Sequence, residues 1–157
     1  MAFLDPIINN ENATNDLINA INTKQNSKEI LLKIDKWIES FSDFQKNFGK
    51  GTKLYWTEKQ VKGSGFADPL DVSEKKEYGK FIVRTFEKGF ELQEKLEVLK
   101  IKIRNKVEIN KDLEELVKSS FLRGGGLLLS YKKLLTSTIN AQSIWKGLIK
   151  ARREGRI

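Results

Sequence analysis

In a chain of 157 residues with no histidine and no cysteine, phosphate chemistry has to rest on glycine-rich turns and cations, and three stretches offer them. The first runs Phe48-Gly49-Lys50-Gly51-Thr52-Lys53-Leu54-Tyr55-Trp56, with an aromatic pair able to stack on a base. A Walker A loop requires glycine, four residues, then Gly-Lys followed by Ser or Thr, after a strand. Here position 46, five before Gly51, is lysine, and Thr52 follows Gly51 directly. The residues before it also read as helix, so no ATP site is expected. Gly124-Gly125-Gly126 precedes a helix, whose N-terminus is able to hold an anion near Arg123 and Lys132, but a flexible link between helices is the simpler explanation. Gly63-Ser64-Gly65-Phe66 lacks both the glycine spacing and the preceding strand of a dinucleotide site.

Carboxylate pairs drawn from Glu87, Glu91 and Glu94 interleave with Lys88 and Lys95, the pattern of a solvated helix face. Without histidine or cysteine, zinc fingers, disulfides, cysteine nucleophiles and histidine triads are excluded. Carboxylate, lysine and tyrosine chemistry needs neither residue type. No constellation supports it, and the expectation is a non-enzymatic protein without metal or cofactor.

The net charge of +8 is localised. Residues 1–71 hold nine lysines and ten acids, whereas 72–157 hold twenty lysines and arginines against eleven acids. Two dense spots stand out: Lys100, Lys102, Arg104 and Lys106, and then Lys150, Arg152, Arg153 and Arg156. With Arg123 these are the candidate residues for nucleic acid or another anionic surface. Cations are also favoured at helix C-termini by the dipole, a purely structural use.

The elements that must position these groups follow from apolar periodicity. Ile30, Ile34, Trp37, Phe41, Phe44 and Phe48 predict a helix over 27–48, opened by Asn26 with Glu29 and closed by Gly49. A short helix with frayed ends is expected over 14–22, after a flexible segment at 1–12. Residues 49–71 form one long loop, in which Tyr55, Trp56 and Phe66 are candidates for docking a partner. Asp71 and Glu74 open a long helix whose face is Tyr78, Ile82, Phe86, Gly89, Leu92, Leu96, Leu99, Ile103 and Val107. Gly89 on that face either allows a close helix crossing or is a tolerated glycine costing about 1 kcal/mol against alanine. Asn110 is expected to cap a helix bearing Leu113, Leu116, Val117 and Phe121. The last helix, 127–153, is expected to bury Leu127, Tyr131, Leu134, Thr138, Ala141, Trp145 and Leu148, with Lys146, Lys150 and Arg153 off that side. The sum is an all-α, irregular bundle of four to five amphipathic helices in a single domain over 1–157, with a basic end at 150–157. Alternating patterns leave an α+β arrangement open, with short strands near 53–61, 80–86 and 99–109.

The N-terminal residues lack the basic start and apolar run of a signal peptide, and no run approaches the roughly 18 apolar residues of a membrane span. An intracellular, cytoplasmic protein is expected; Asn12-Ala13-Thr14 fits a glycosylation sequon, a triplet frequent by chance. Three functions fit this picture. One is a helical binding or structural subunit of a larger assembly, with another protein or a second copy as partner. Another is a nucleic-acid-binding module of nucleoid, regulatory or coat type, and the last is a membrane-active or immunity-type helical protein.

Overall fold

Five helices form among the described residues: α1 (Asp5–Asn22), α2 (Ser27–Phe48), α3 (Val72–Arg104), α4 (Asn110–Val117) and α5 (Leu127–Arg153). The structure is a computed structural model that describes the backbone of residues 5–48, 72–118 and 126–155, and the side chains of 6–46, 83–118, 126–140, 151, 154 and 155. No strand occurs among the described residues, so the fold is all-α. The strand alternative fails at 80–86 and 99–104, which are helical, and 105–109 is a turn and irregular backbone; 53–61 lies outside the described residues.

Helix α2 opens as its sequence predicts, with the Glu29 amide donating to Asn26 Oδ1 at 2.9 Å. Helix α1 departs from expectation. It begins at Asp5, and of the segment 1–12 expected to be flexible, residues 5–12 are helical, with Ile7 and Asn10 wholly buried. Pro6 sits in the first turn, where its missing N–H costs nothing. The buried face of α1 is Ile7, Asn10, Thr14, Leu17, Ile18 and Ile21, and its two polar members break the apolar pattern that sequence reading follows.

Two helices end on a lysine in the left-handed region: Lys24 has φ 54° and Lys106 has φ 56°. At each, the next residue's amide bonds back across the final turn, Gln25 to the Ala20 carbonyl at 3.0 Å and Val107 to the Lys102 carbonyl at 2.9 Å. This is the Schellman arrangement, usually built on glycine. It stops α3 at Arg104, so Val107, assigned by periodicity to its buried face, lies beyond the helix at 50% exposure. An L-residue held there costs about 1–2 kcal/mol in backbone strain, part of which the favourable interaction of the cation with the helix dipole offsets. Lys106→Gly is therefore expected to raise stability by about 1 kcal/mol, read as a thermal midpoint a few degrees higher.

Asn110 is not the cap of α4 but its first residue; Ile109 holds the cap position without a side-chain bond, and the Asn110 amide donates to Glu108 Oε1 at 3.0 Å. In α5 the buried side is Leu128, Tyr131, Leu135 and Thr138, one residue round from the expected Leu127 and Leu134, which are half-buried. The runs Leu127-Leu128-Leu129 and Leu134-Leu135 supply apolar residues on both sides, so periodicity alone fits either choice. The expected Ala141, Trp145 and Leu148, like Tyr78, Ile82, Phe48 and Phe121, have side chains outside those described.

Cross-helix contacts set the topology. Asn10 meets Ser40 and Thr14 meets Trp37 between α1 and α2. Phe44 meets Phe86 and Asp35 meets Lys100 between α2 and α3, while Thr85 meets Thr138 between α3 and α5. Across the first two interfaces, later residues of one helix meet earlier residues of the next. Between α3 and α5, Thr85 faces Thr138 and Gly89 faces Tyr131, again in opposite directions. The chain thus runs up, down, up and down, with short α4 packed on α1 and α5 at the end where α3 stops.

Aromatic rings fill the centre. Phe41 stacks on Trp37 at 5.0 Å between centroids and meets Phe44, Phe86, Phe90 and Tyr131 edge-on at 5.5–6.5 Å. Gly89 gives α3 room to pass: a Cβ there would overlap the Phe41 ring and lie 3.0 Å from Tyr131 Cε1. The crossing suggested by Gly89 is therefore real.

Candidate functional site

The basic run of α3 does not form one surface. At about 100° per residue, Lys100 and Lys102 point to different sides of the helix. Lys100 Nζ lies 2.8 Å from Asp35 Oδ1 on α2, and Lys102 Nζ lies 3.1 Å from Asp112 Oδ2 on α4. Both lysines pin α3 to its neighbours. Only Arg104 and Lys106 of the four are exposed without an ion pair among the described residues. Residues 94–118 as a whole hold seven lysines and arginines against six acids, so this stretch is close to neutral.

The other candidates fall differently. Lys150, Arg152 and Arg153 lie in the last turns of α5, on backbone that is helical. Arg123 and Arg156, and the docking candidates Tyr55, Trp56 and Phe66, lie outside the described residues. Glu87, Glu91 and Glu94 are exposed, and Lys88 Nζ pairs with Glu91 Oε2 at 3.3 Å along the helix, as a solvated face does.

One concavity among the described residues was not foreseen. It is an open groove of about 780 Å³ between α3, α4 and the start of α5. One wall is a stripe of α3 at spacings of three and four: Lys88, Glu91, Lys95, Val98 and Lys102. Opposite stand Asp112, Glu115, Leu116 and Lys118, and Gly126, Leu127 and Ser130 close one side. Leu99 and Leu116 are buried beneath it, whereas Val98 is 51% exposed. Gly126 holds α5 against α4, since a Cβ there would run into the Leu116 carbonyl. Four basic and four acidic residues rim this partly apolar floor. The signal was present in sequence as the alternating charges of 87–95, which read there as a solvated face.

Asn10, Thr14, Trp37, Ser40 and Tyr131 form one connected hydrogen-bond network. Tyr131 Oη donates to Asn10 Oδ1, and Asn10 Nδ2 donates to Ser40 Oγ at 2.8 Å. The Trp37 indole donates to Thr14 Oγ1 at 2.9 Å, and Thr14 in turn donates to the Asn10 carbonyl at 2.7 Å. Burial pushes the Tyr131 phenol well above the ordinary tyrosine range, so it stays a neutral donor. These groups satisfy one another between α1, α2 and α5, and Ser40 also lines a small surface pocket of about 210 Å³ with Asn9, Asp16 and Lys36.

Among the described residues no cluster of three or more carboxylates is placed to hold a metal, and no helix is long and apolar enough to cross a membrane. No family model, curated protein or solved structure matches the chain. The groove and the distribution of charge therefore carry the functional reading.

Proposed function

We propose that this chain is a non-enzymatic helical binding protein, a subunit or accessory factor of a larger assembly. The observation that supports the reading best is the groove between α3, α4 and α5. Its apolar centre, with Val98 half exposed over buried Leu99 and Leu116, lies inside a charged rim, the anatomy of a protein–protein interface. Because the rim carries both signs equally, it suits neither a polyanion nor a polycation. The matching partner is a protein segment with a small apolar anchor flanked by charges of both signs.

Val98→Glu places a charge at the centre of that floor without disturbing a buried residue. The expected result is that a partner captured from native extract by the tagged wild type is lost at least tenfold with Val98→Glu. It is retained with Leu32→Glu, which alters an equally exposed leucine on α2 away from the groove. Equal capture by all three proteins would contradict the reading.

A further inference from the structure

The topology brings the basic start of α3 and the basic end of α5 together at the end of the bundle opposite the groove. Phe86 is level with Phe44, after which α2 runs only to Phe48, about 6 Å of rise. From the same level α3 extends back to Val72, about 21 Å, and α5 runs on from Thr138 to Arg153, about 22 Å. The start of α3 and the end of α5 thus pass beyond the end of α2. Residues 72–84 hold Lys75, Lys76, Lys80 and Arg84, and 139–155 hold Lys146, Lys150, Arg152 and Arg153; only three glutamates accompany these eight cations.

Register sharpens the point. The helical register set by Leu128, Tyr131, Leu135 and Thr138 runs on at 3.6 residues per turn through positions 142, 146, 149 and 153, which are Gln142, Lys146, Ile149 and Arg153. Two cations and an amide take up positions that are apolar or hydroxyl-bearing higher in the helix. On α3, Lys76, Lys80 and Arg84 follow one another at intervals of four, and Arg84 is exposed.

We infer that this basic end binds the phosphate backbone of a nucleic acid. The inference rests on the reading of the chain as a binding protein and names a second partner at a second surface. A chain of phosphates matches cations spread along two helices, and three of the chain's six arginines, Arg84, Arg152 and Arg153, bring the planar fork that grips phosphate in pairs of bonds. A lipid surface would call for exposed apolar residues beside the cations. Among the described residues, Leu32, Val98, Ile101 and Val107 are exposed at the other end, and Ile8 and Phe90 between the two ends.

The test is fluorescence anisotropy with a labelled mixed-sequence RNA and a DNA duplex at 50 and 200 mM salt, each about twenty nucleotides or base pairs long. Engagement of about four phosphates weakens binding by roughly 100-fold between the two salt concentrations. Replacing Lys146, Lys150, Arg152 and Arg153 together by glutamine is expected to cost at least tenfold at low salt and to flatten the salt dependence. Arg104→Gln with Lys106→Gln, in the near-neutral stretch 94–118, is expected to stay within twofold. Should the quadruple variant melt early, Lys76→Gln, Lys80→Gln and Arg84→Gln together carry the same expectation. No binding by the wild type at 50 mM salt, equal loss in the Arg104/Lys106 variant, or sedimentation with phosphatidylserine vesicles in place of nucleic-acid binding would each overturn the inference. Groove-dependent capture that persists alongside a flat titration removes this site and leaves the binding-protein reading standing.

Discussion

Phe41→Ala is expected to lower the unfolding free energy by about 3–5 kcal/mol, a large share of the roughly 5–15 kcal/mol by which domains are stable. The ring is wholly buried and touches five other aromatic rings contributed by α2, α3 and α5. Its loss leaves a cavity where three helices meet, and neighbouring rings are too rigid to close it. Urea unfolding followed by circular dichroism measures the change, and a loss below about 1 kcal/mol would mean that the centre is not packed as described. Gly89→Ala probes the same contact from α3. Alanine gains about 1 kcal/mol in helix propensity, yet its Cβ overlaps Phe41, and overpacking of this kind costs about 1–3 kcal/mol. A net loss is expected, and Phe41→Leu should restore part of it in the double variant.

Asn10→Leu is expected to cost about 3 kcal/mol. The substitution strands the Tyr131 hydroxyl in the interior and removes the bond to Ser40, and each buried group left without a partner costs about 1–3 kcal/mol. Tyr131→Phe alone orphans only Asn10 Oδ1 and should cost less. Combining the two removes both ends of the bond, so the double variant should lose less than the two single losses added. Alkaline unfolding supplies a separate readout. Burial holds the Tyr131 phenol above its ordinary value, so the folded chain keeps a proton that the unfolded chain releases. That stabilisation is full below about pH 10 and is lost as pH rises toward the folded value, at up to about 1.4 kcal/mol per pH unit. The Tyr131→Phe variant is expected to show a correspondingly shallower fall in stability between about pH 10 and 12.

What could be read from the amino acids alone depended on whether a residue's type matched its place. Helix α2 was legible from end to end because Ile30, Ile34, Trp37, Phe41 and Phe44 are apolar and buried, and Asn26 is a cap by type and by geometry. The first turns of α1 were not, since Asn10 and Thr14 occupy core positions through hydrogen bonds that only tertiary contact supplies. The Asp5-Pro6 pair was the available signal for that start. The end of α3 was hidden for a related reason: Lys106 terminates the helix in a conformation expected of glycine. For the sites, linear density of charge misled. Lys100 and Lys102 are neighbours in sequence but are separated by the helical turn and neutralised by Asp35 and Asp112. Cations at 75–84 and 146–153, far apart in sequence, are carried to one end by the antiparallel course of α3 and α5.

The most direct test of the binding-protein reading is the mass of the particle that carries this chain in extract of the cells that make it, measured by light scattering on the fractionated native material. In nuclease-treated extract a mass well above the 18.1 kDa of the single chain is predicted, falling to that value when Val98→Glu replaces the wild type. A wild-type particle of 18.1 kDa, unchanged by the substitution, would contradict the account.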